Sequence, residues 1–276
     1  MRLTVKKAFA AAGVAVLAVS ASAENPAARR AQAIGRPAAQ MTVERAYEKD
    51  GACLLYRWHA PRAIVSGRVY PLVVLFHGAG ECGADNLAQL THGADEILSY
   101  AQKTGEEIFF IAGQVPQGSR WVDTPWEQTS HTMPSSPTAS MGAVLALIER
   151  TMKDFPVDPA RVYATGISMG GYGTWDAVQR RPDLFAAAIP ICGGGDSACA
   201  AKIKDVPIWC FHGDQDTAVP TCRSRDMYKA IKAANGNVQY REYAGVGHNC
   251  WDATYRDETV LKWFFAQRKT PPAPAD

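Results

Sequence analysis

Ser168 is the residue whose surroundings most clearly indicate chemistry. It lies at the centre of a G-x-S-x-G pattern, in the run Tyr-Ala-Thr-Gly-Ile-Ser-Met-Gly-Gly over 163–171. A serine on a tight turn from strand to helix needs small residues two positions before and after it, because side chains there would collide. Gly166 and Gly170 occupy those positions. The pattern therefore predicts a nucleophilic serine, which needs a base, a carboxylate and oxyanion donors from elsewhere in the chain.

A base and a carboxylate follow two later apolar stretches. His248 lies in the small-residue run Gly-Val-Gly-His-Asn at 245–249, and Asp216 ends the run His-Gly-Asp-Gln-Asp at 212–216. An imidazole with a pKa of about 6.5 can take the serine proton and return it near neutral pH. A carboxylate can hold that ring in one tautomer. We predict that His248 and Asp216 take these roles, with Asp214 as the alternative carboxylate or as a brace of its loop.

The run His-Gly-Ala-Gly at 77–80 directly follows an apolar stretch. A loop of this kind bends the backbone so that its amides face a developing oxyanion. We predict that the amide of Ala79 is one donor and that the amide of Met169, next to the nucleophile, is the other. The alternative is a plain glycine-rich turn, in which His77 only braces the loop.

Alternating strands and helices must position these residues. The predicted strands are 41–47, 53–59, 72–76, 108–112, 161–165, 186–191, 207–212 and 238–243. The predicted helices are 93–103, 139–154, 169–180, 222–234 and 257–267. The alternation predicts an α/β fold, with a mostly parallel central sheet and helices on both faces. Its ligand site should lie beyond the carboxyl ends of the strands, where the predicted oxyanion loop, serine, aspartate and histidine all fall.

Three tryptophans are candidates for substrate binding. Trp121 and Trp126 lie in a long polar loop that follows strand 108–112, and Trp251 comes three residues after His248. Exposed indoles at this edge could stack on a sugar or an aromatic acid. The alternative is that the rings pack against the body of the protein and anchor the loop.

The amino-terminal 23 residues have the pattern of a secretory signal peptide. A basic start precedes an apolar stretch at 8–19 and the small-residue ending Ala-Ser-Ala at 21–23, which predicts cleavage before Glu24 and export to the periplasm or medium. The alternative, a membrane anchor, would need roughly 20 apolar residues. Cleavage removes three basic residues and changes the formal net charge from +2 to −1. Because the chain has no long basic run, we expect no nucleic-acid partner.

Composition predicts one globular unit between loose ends. The chain has 276 residues, of which 47% are hydrophobic and 20% charged, which is typical of a folded domain. The predicted parts are a signal peptide at 1–23, a flexible segment at 24–40, a single catalytic domain at 41–269 and a flexible tail at 270–276. No oligomeric state is indicated.

The seven cysteines suggest disulfides rather than a metal site. An exported chain meets an oxidising compartment, and up to three bridges are possible. Cys192 and Cys199 flank a glycine-rich loop, so a local bridge between them is one pairing, although the spacing does not fix the connectivity. No C-x-x-C pair indicates zinc or redox chemistry, and the predicted reaction needs no cofactor. A cysteine nucleophile is disfavoured because no cysteine occupies a turn like that of Ser168.

The chain resembles the exported esterase branch of the α/β-hydrolases. The resemblance rests on four runs: 75–83 (Leu-Phe-His-Gly-Ala-Gly-Glu-Cys-Gly), 158–175 around Ser168, 185–194 (Phe-Ala-Ala-Ala-Ile-Pro-Ile-Cys-Gly-Gly) and 209–213 (Trp-Cys-Phe-His-Gly). The order serine, aspartate, histidine is also that of α/β-hydrolases. The branch includes feruloyl and acetylxylan esterases, polyhydroxybutyrate depolymerases and relatives labelled as peptidases.

The resemblance implies hydrolysis of a carboxylic ester without a cofactor, with Ser168, Asp216 and His248 in the roles given above. We expect an acyl ester of a polysaccharide or similar polymer as substrate, and no stable membrane anchor. A peptidase is the weaker alternative because esters have the better leaving group. A polyhydroxyalkanoate depolymerase, an acyltransferase on the same scaffold and a binding protein without activity are the remaining alternatives.

Overall fold

The computed structural model describes residues 35–269. The strands are β1 (Val43–Lys49), β2 (Ala52–His59), β3 (Tyr70–Phe76), β4 (Phe109–Gln114), β5 (Val157–Ile167), β6 (Ala187–Ile191), β7 (Ile208–Gly213) and β8 (Val238–Tyr243). The α-helices are α1 (Pro37–Met41), α2 (Ala94–Thr104), α3 (Ala139–Asp154), α4 (Met169–Arg180), α5 (Cys222–Ala233), α6 (Trp251–Arg256) and α7 (Glu258–Ala266). Short 3-10 turns cover Ala79–Glu81, Ala88–Leu90 and Ser197–Ile203.

The strands form one eight-stranded sheet in the order β1-β2-β4-β3-β5-β6-β7-β8. Strand β2 pairs antiparallel with both β1 and β4, and all other neighbours are parallel. The carboxyl ends of β3, β5, β6, β7 and β8 consequently meet at one edge. The predicted α/β fold with a mostly parallel sheet is confirmed, and this edge is where the predicted site residues follow their strands.

Helices cover both faces of the sheet, as expected. In β3, Leu72, Val74 and Phe76 join the core on one face, whereas Val73 and Leu75 join the core on the other. Side chains alternate between faces along a strand, so a central strand buried on both sides is continuously apolar. Helices α3, α4 and α5 pack on the first face, and α2 and α7 pack on the second.

The ends of the described region differ in part from the sequence prediction. Residues 37–40, predicted to be flexible, belong to helix α1, whose Ala38 is buried and donates its amide to Asp95 at 2.7 Å. The remainder of the predicted flexible segment up to residue 34, the signal peptide and the tail at 270–276 lie outside the described residues. Within residues 35–269, no helix is long and apolar enough to cross a membrane.

Close backbone packing holds helix α4 against the ends of two strands. We call residues 166–171 the Ser168 turn. A Cβ atom at Gly166 would lie 2.5 Å from the carbonyl oxygen of Phe76, and one at Gly170 would overlap the carbonyl groups of both Phe76 and His77. Gly171 faces the carbonyl of Ile191 in the same way. The Ser168 turn therefore fits between β3 and β6 only because these three positions carry no side chain.

Replacing Gly170 by alanine is expected to reduce stability by roughly 1–3 kcal/mol or more, because the new methyl group can be accommodated only by moving backbone. Urea unfolding followed by circular dichroism measures this. Gly142→Ala is the matched control, since Gly142 also lies within a helix but its Cβ would have only Pro137, at 3.8 Å, as a neighbour. That variant should be equally stable or gain up to about 1 kcal/mol. Equal stability of the two variants would contradict the packing described above.

Candidate active site

The backbone at Ser168 adopts a conformation that few non-glycine residues take. Its φ is 54° and its ψ is −119°, and the residue caps the amino terminus of α4. Such a conformation costs of order 1–3 kcal/mol and persists only where its surroundings enforce it. Here the Ser168 amide donates to the carbonyl of Ile191 at 3.0 Å, and its own carbonyl accepts from the Tyr172 amide at 3.1 Å. The turn directs the hydroxyl away from the strand axis, toward the carboxyl edge of the sheet.

The structure brings Ser168, His248 and Asp216 into one hydrogen-bonded chain. Ser168 Oγ lies 2.8 Å from His248 Nε2, and His248 Nδ1 lies 2.7 Å from Asp216 Oδ2. The carboxylate accepts a hydrogen bond from the Nδ1–H group, which leaves the Nε2 lone pair to accept a hydrogen bond from the serine hydroxyl. The Asp216 carboxylate is fully buried, whereas 27% of the His248 side chain is exposed. Three residues from different strand ends thus form a serine–imidazole–carboxylate relay that is open to solvent at its serine end.

Asp216 is fixed by more partners than the relay requires. Its Oδ1 accepts the amides of Ala218 at 2.8 Å and Val219 at 2.9 Å, and its Oδ2 also lies 3.1 Å from His212 Nε2. Burial alone would raise the pKa of Asp216, but hydrogen bonds from His212, His248 and Val219 outweigh it and hold the pKa well below its ordinary value. The carboxylate therefore stays ionised and immobile beside His248.

The two aspartates after β7 have different roles in the structure. Asp214 accepts the amide of Gly245 at 2.7 Å and so braces the loop that carries His248, whereas the sequence suggested that it would brace its own loop. His212, the first residue of the same run, contacts the Asp216 carboxylate directly. The signal in the sequence is the spacing His-Gly-Asp-Gln-Asp, which returns the chain toward His212 within four residues. The sequence alone does not show that the Asp216 side chain points toward His212.

The predicted oxyanion donors lie at the starts of two helical segments. Ala79 begins the 3-10 turn after Gly78, and Met169 begins α4. The first amides of a helix have no acceptor within it and are available to an anion. His77 supports the loop from below, because its Nδ1 contacts the Gly78 carbonyl at 2.6 Å and its Nε2 accepts the Val115 amide at 2.9 Å. Burial lowers the pKa of His77 to about 4, so this brace is a neutral imidazole.

The three candidate tryptophans have different environments. Trp121 is completely buried, its Nε1 donates to the His77 carbonyl at 3.1 Å, and its ring meets Phe76 edge-on. The prediction that Trp121 binds substrate is therefore wrong, because its indole is an internal anchor of the loop. Trp126 is half-buried with the Arg120 guanidinium 4.4 Å above its ring. Trp251 is half-buried and stands edge-on to His248, with ring centroids 5.3 Å apart.

Two residues that the sequence analysis did not identify, Tyr172 and Arg223, hold the loop between β4 and α3 against helix α4. We call residues 115–138 the β4–α3 loop. Tyr172, one turn after Ser168 on α4, donates its hydroxyl to the Trp126 carbonyl at 2.9 Å. Arg223 is buried over the Tyr172 ring, donates to the Tyr172 hydroxyl and donates to His131 of the loop. Only the fold brings α4, α5 and this loop together, so their spacing in the sequence carried no signal.

The thiol of Cys192 lies close to both His248 and Asp216. Cys192 Sγ, an Asp216 carboxylate oxygen and a His248 ring nitrogen lie within 4.8 Å of one another, the one such cluster found among residues 35–269. Thiolate, imidazole and carboxylate are all metal ligands. In this structure His248 and Asp216 are hydrogen-bonded to each other, so a metal ion would have to displace the relay. The arrangement therefore favours acyl-transfer chemistry over metal binding.

Comparison with known proteins supports this description of the fold. Residues 123–258 match the dienelactone hydrolase family. A crystal structure of a thermostable esterase superposes with a TM-score of 0.77 and 36% identity, covering 83% of this chain and 64% of that one. A feruloyl esterase B from Thermothelomyces thermophilus is 26% identical over 71% of this chain and 77% of its own length. The predicted resemblance to the esterase branch is confirmed by these matches.

Two further relatives are larger proteins. A poly(3-hydroxyalkanoate) depolymerase C from Paucimonas lemoignei is 36% identical over 63% of this chain but 36% of its own length. A bifunctional acetylxylan esterase/xylanase from Neocallimastix patriciarum is 33% identical over 45% of this chain and 18% of its own length. The chain thus spans about a third or less of these two relatives.

His77 should make stability depend on pH. Its pKa is about 4 in the folded chain against an ordinary value of 6.5, so between these values the unfolded chain binds a proton that the folded chain does not. The stabilisation is complete above pH 6.5 and is lost toward pH 4, by about 1.4 kcal/mol per pH unit. Urea unfolding at pH 7.5, 5.5 and 4.5 measures the slope.

The matched variant for this prediction is His77→Gln, which keeps a donor and an acceptor but cannot titrate. It should show a shallower loss of stability between pH 6.5 and 4.5. His131, whose pKa burial and Arg223 lower to about 4, contributes to the slope in both proteins. Asp216, with its lowered pKa, loses its contribution only in the more acidic range below an ordinary carboxyl pKa. Identical slopes would show that His77 is not the titrating group.

Proposed function

The chain belongs to the α/β-hydrolase superfamily, and from this membership we propose that it is a carboxylic-ester hydrolase acting through Ser168, His248 and Asp216. The observation that carries the proposal is the relay itself, with its two contacts of 2.8 and 2.7 Å between side chains from three different strand ends. The esterase homologues and the thermostable esterase structure support the same class of reaction.

Acylation begins when Ser168 Oγ attacks the ester carbonyl and its proton passes to His248 Nε2. Asp216, ionised and buried, stabilises the imidazolium that forms and keeps the ring in place. The carbonyl oxygen becomes an oxyanion that the amides of Met169 and Ala79 can bind, a contribution typically worth 10²–10³ in turnover per donor. Collapse of the intermediate breaks the bond to the leaving alcohol, which takes the proton from His248.

Deacylation repeats the sequence with water as the nucleophile. His248 removes a proton from the water, the hydroxide adds to the seryl ester, and Ser168 leaves with a proton returned by His248. The exposed side of His248 provides access for this water. An alcohol that replaced water at this step would give acyl transfer, so product analysis with added alcohol distinguishes the two outcomes.

The proposed substrates are acyl esters of a polysaccharide or related polymer. The names of the relatives include an acetylxylan esterase, a feruloyl esterase and a depolymerase, two of which imply polymeric substrates. Trp126 and Trp251 are partly exposed, and Trp251 contacts the catalytic base directly, so both are placed to meet the acyl or sugar part of a substrate. Export of the chain, with cleavage before Glu24, would bring the enzyme to such a polymer. This part of the proposal rests on the signal-peptide pattern.

Replacing Ser168 by alanine should reduce ester hydrolysis by roughly 10⁴-fold or more, because no other hydroxyl lies in the relay. We would measure turnover of p-nitrophenyl acetate, p-nitrophenyl butyrate and methyl ferulate. Ser135→Ala, at an exposed serine of the β4–α3 loop, is the control and should retain full activity. Retained activity in Ser168→Ala would remove Ser168 from its role. Folded wild-type protein with no turnover on any of the three esters would contradict ester hydrolysis itself.

A substitution at Trp126 tests the proposal that the substrate is an acyl ester of a polymer. Trp126→Ala should raise the KM for an acetylated or feruloylated xylan about 3- to 10-fold, the range expected for loss of one stacking contact, with little change for p-nitrophenyl acetate. Trp263→Ala is the control. This tryptophan is half-buried and packs on Trp209, on the opposite face of the sheet from Trp126. If both substrates respond equally to Trp126→Ala, then this indole supports the fold of the loop rather than binding of the polymer.

A further inference from the structure

The contacts of the cysteine side chains single out one pair. All seven cysteines are free thiols in this structure. Four of them, Cys82, Cys199, Cys210 and Cys222, have oxygen atoms of other residues as their hydrogen-bond partners. Cys192 and Cys250 are instead completely buried in one cluster. Cys192 Sγ lies within 4.8 Å of a ring nitrogen of His248, and the Cys250 amide donates to the His248 carbonyl at 2.9 Å, so both cysteines flank the same residue. The predicted local pairing of Cys192 with Cys199 is not what the structure brings together, because the Cys199 thiol contacts Asp196.

The two cysteines lie on the two segments that hold Ser168 and His248. Cys192 follows β6 with a φ of 40°, a left-handed conformation that is rare outside glycine, and its amide donates to the Phe211 carbonyl at 2.8 Å. The preceding residue, Ile191, accepts the amide of Ser168. Cys250 comes two residues after His248 and caps the start of α6. The two thiols therefore join the strand end behind the nucleophile to the loop that holds the base.

We propose that Cys192 and Cys250 form a disulfide bond when the chain folds in oxidising solution. Each thiol loses its hydrogen, an S–S bond forms between the two Sγ atoms, and a disulfide oxidant such as oxidised glutathione accepts two electrons and two protons as two thiols. Both side chains belong to one buried cluster that also contains Tyr255, so we expect the bond to form by side-chain rotation within this cluster.

Burial determines when this bond can form. Burial, with the neighbouring Cys250 thiol, raises the pKa of Cys192 well above its ordinary value, so the folded chain holds almost no thiolate for exchange. Oxidation therefore takes place during folding, before the pair is covered, and the finished bond is protected from reductants. The exposed Cys53 and the half-exposed Cys82 and Cys222 lack this protection.

The bond would restrict the motion of His248 relative to Ser168. Its formation closes a loop of about 60 residues, and a crosslink of that span typically raises the melting temperature of a domain of this size by roughly 5–15 °C. It also removes Cys192 as a free thiol beside Asp216 and His248, where the three groups lie within 4.8 Å. Both effects would protect the relay under the conditions met outside the cell.

The direct test is a thiol map of the full chain refolded in a glutathione redox buffer. Free thiols are alkylated under denaturing, non-reducing conditions, and the digest is analysed by mass spectrometry. We expect one crosslinked species that contains Cys192 and Cys250, and alkylation of Cys199. Free Cys192 and Cys250, or a crosslink between Cys192 and Cys199, would overturn the proposal. This map needs no enzymatic activity, so it is independent of the proposed function.

Thermal unfolding provides the second measurement. Wild-type protein refolded with dithiothreitol should melt roughly 5–15 °C below protein refolded with oxidised glutathione. The double variant Cys192→Ser/Cys250→Ser should melt at the same temperature under both conditions, while Cys199→Ser should keep the full difference. A difference that persists in the double variant would assign the effect to other cysteines. The map on wild-type protein decides the question even if the double variant does not fold.

Discussion

The close approach between the Ser168 turn and the carbonyl groups at the end of β3 is the constraint on which the rest of the site depends. Gly166 and Gly170 have no space for a methyl group, and Gly171 is equally close to β6. This packing forces Ser168 into a φ of 54°, because the chain must reverse from strand into helix within one residue. The same contact sets the distance between the start of α4 and the 77–80 loop. One packing requirement therefore positions the hydroxyl and both candidate oxyanion donors together.

The position and charge of His248 depend on the Asp216 carboxylate, as the position of Ser168 depends on the glycine packing. A buried carboxylate is costly unless its oxygens are hydrogen-bonded, and here four donors satisfy them: two histidines and two backbone amides. Because three of these donors come from the loop that follows β7 or from β7 itself, the carboxylate is held whether or not His248 is in place. His248 can then accept a proton without any rearrangement of its partner, which is the condition for electrostatic preorganisation.

The sequence predicted the parts of this structure that depend on local pattern. A parallel sheet requires buried apolar strands, and the small residues and polar side chains that follow them must collect at one edge, so the proximity of Ser168, Asp216 and His248 was predictable from the sequence. Features that depend on packing between distant segments could not be predicted. Trp121 is an internal anchor because the loop folds inward over Phe76, and Cys192 and Cys250 enter one buried cluster only when the segments after β6 and β8 come together. Helix α1 is held by Asp95, which lies 57 residues further along the chain.

The β4–α3 loop, which we propose to face the substrate, is attached to the helix that begins directly after Ser168. Tyr172 holds the β4–α3 loop through the Trp126 carbonyl, and Arg223 secures Tyr172 through its ring and its hydroxyl. Arg223 also donates to His131, whose lowered pKa keeps it a neutral acceptor for that guanidinium. None of these contacts involves the atoms of the relay. Substitutions in the loop are therefore expected to leave the distances among Ser168, His248 and Asp216 unchanged, and under the proposed function such substitutions would change which ester is accepted.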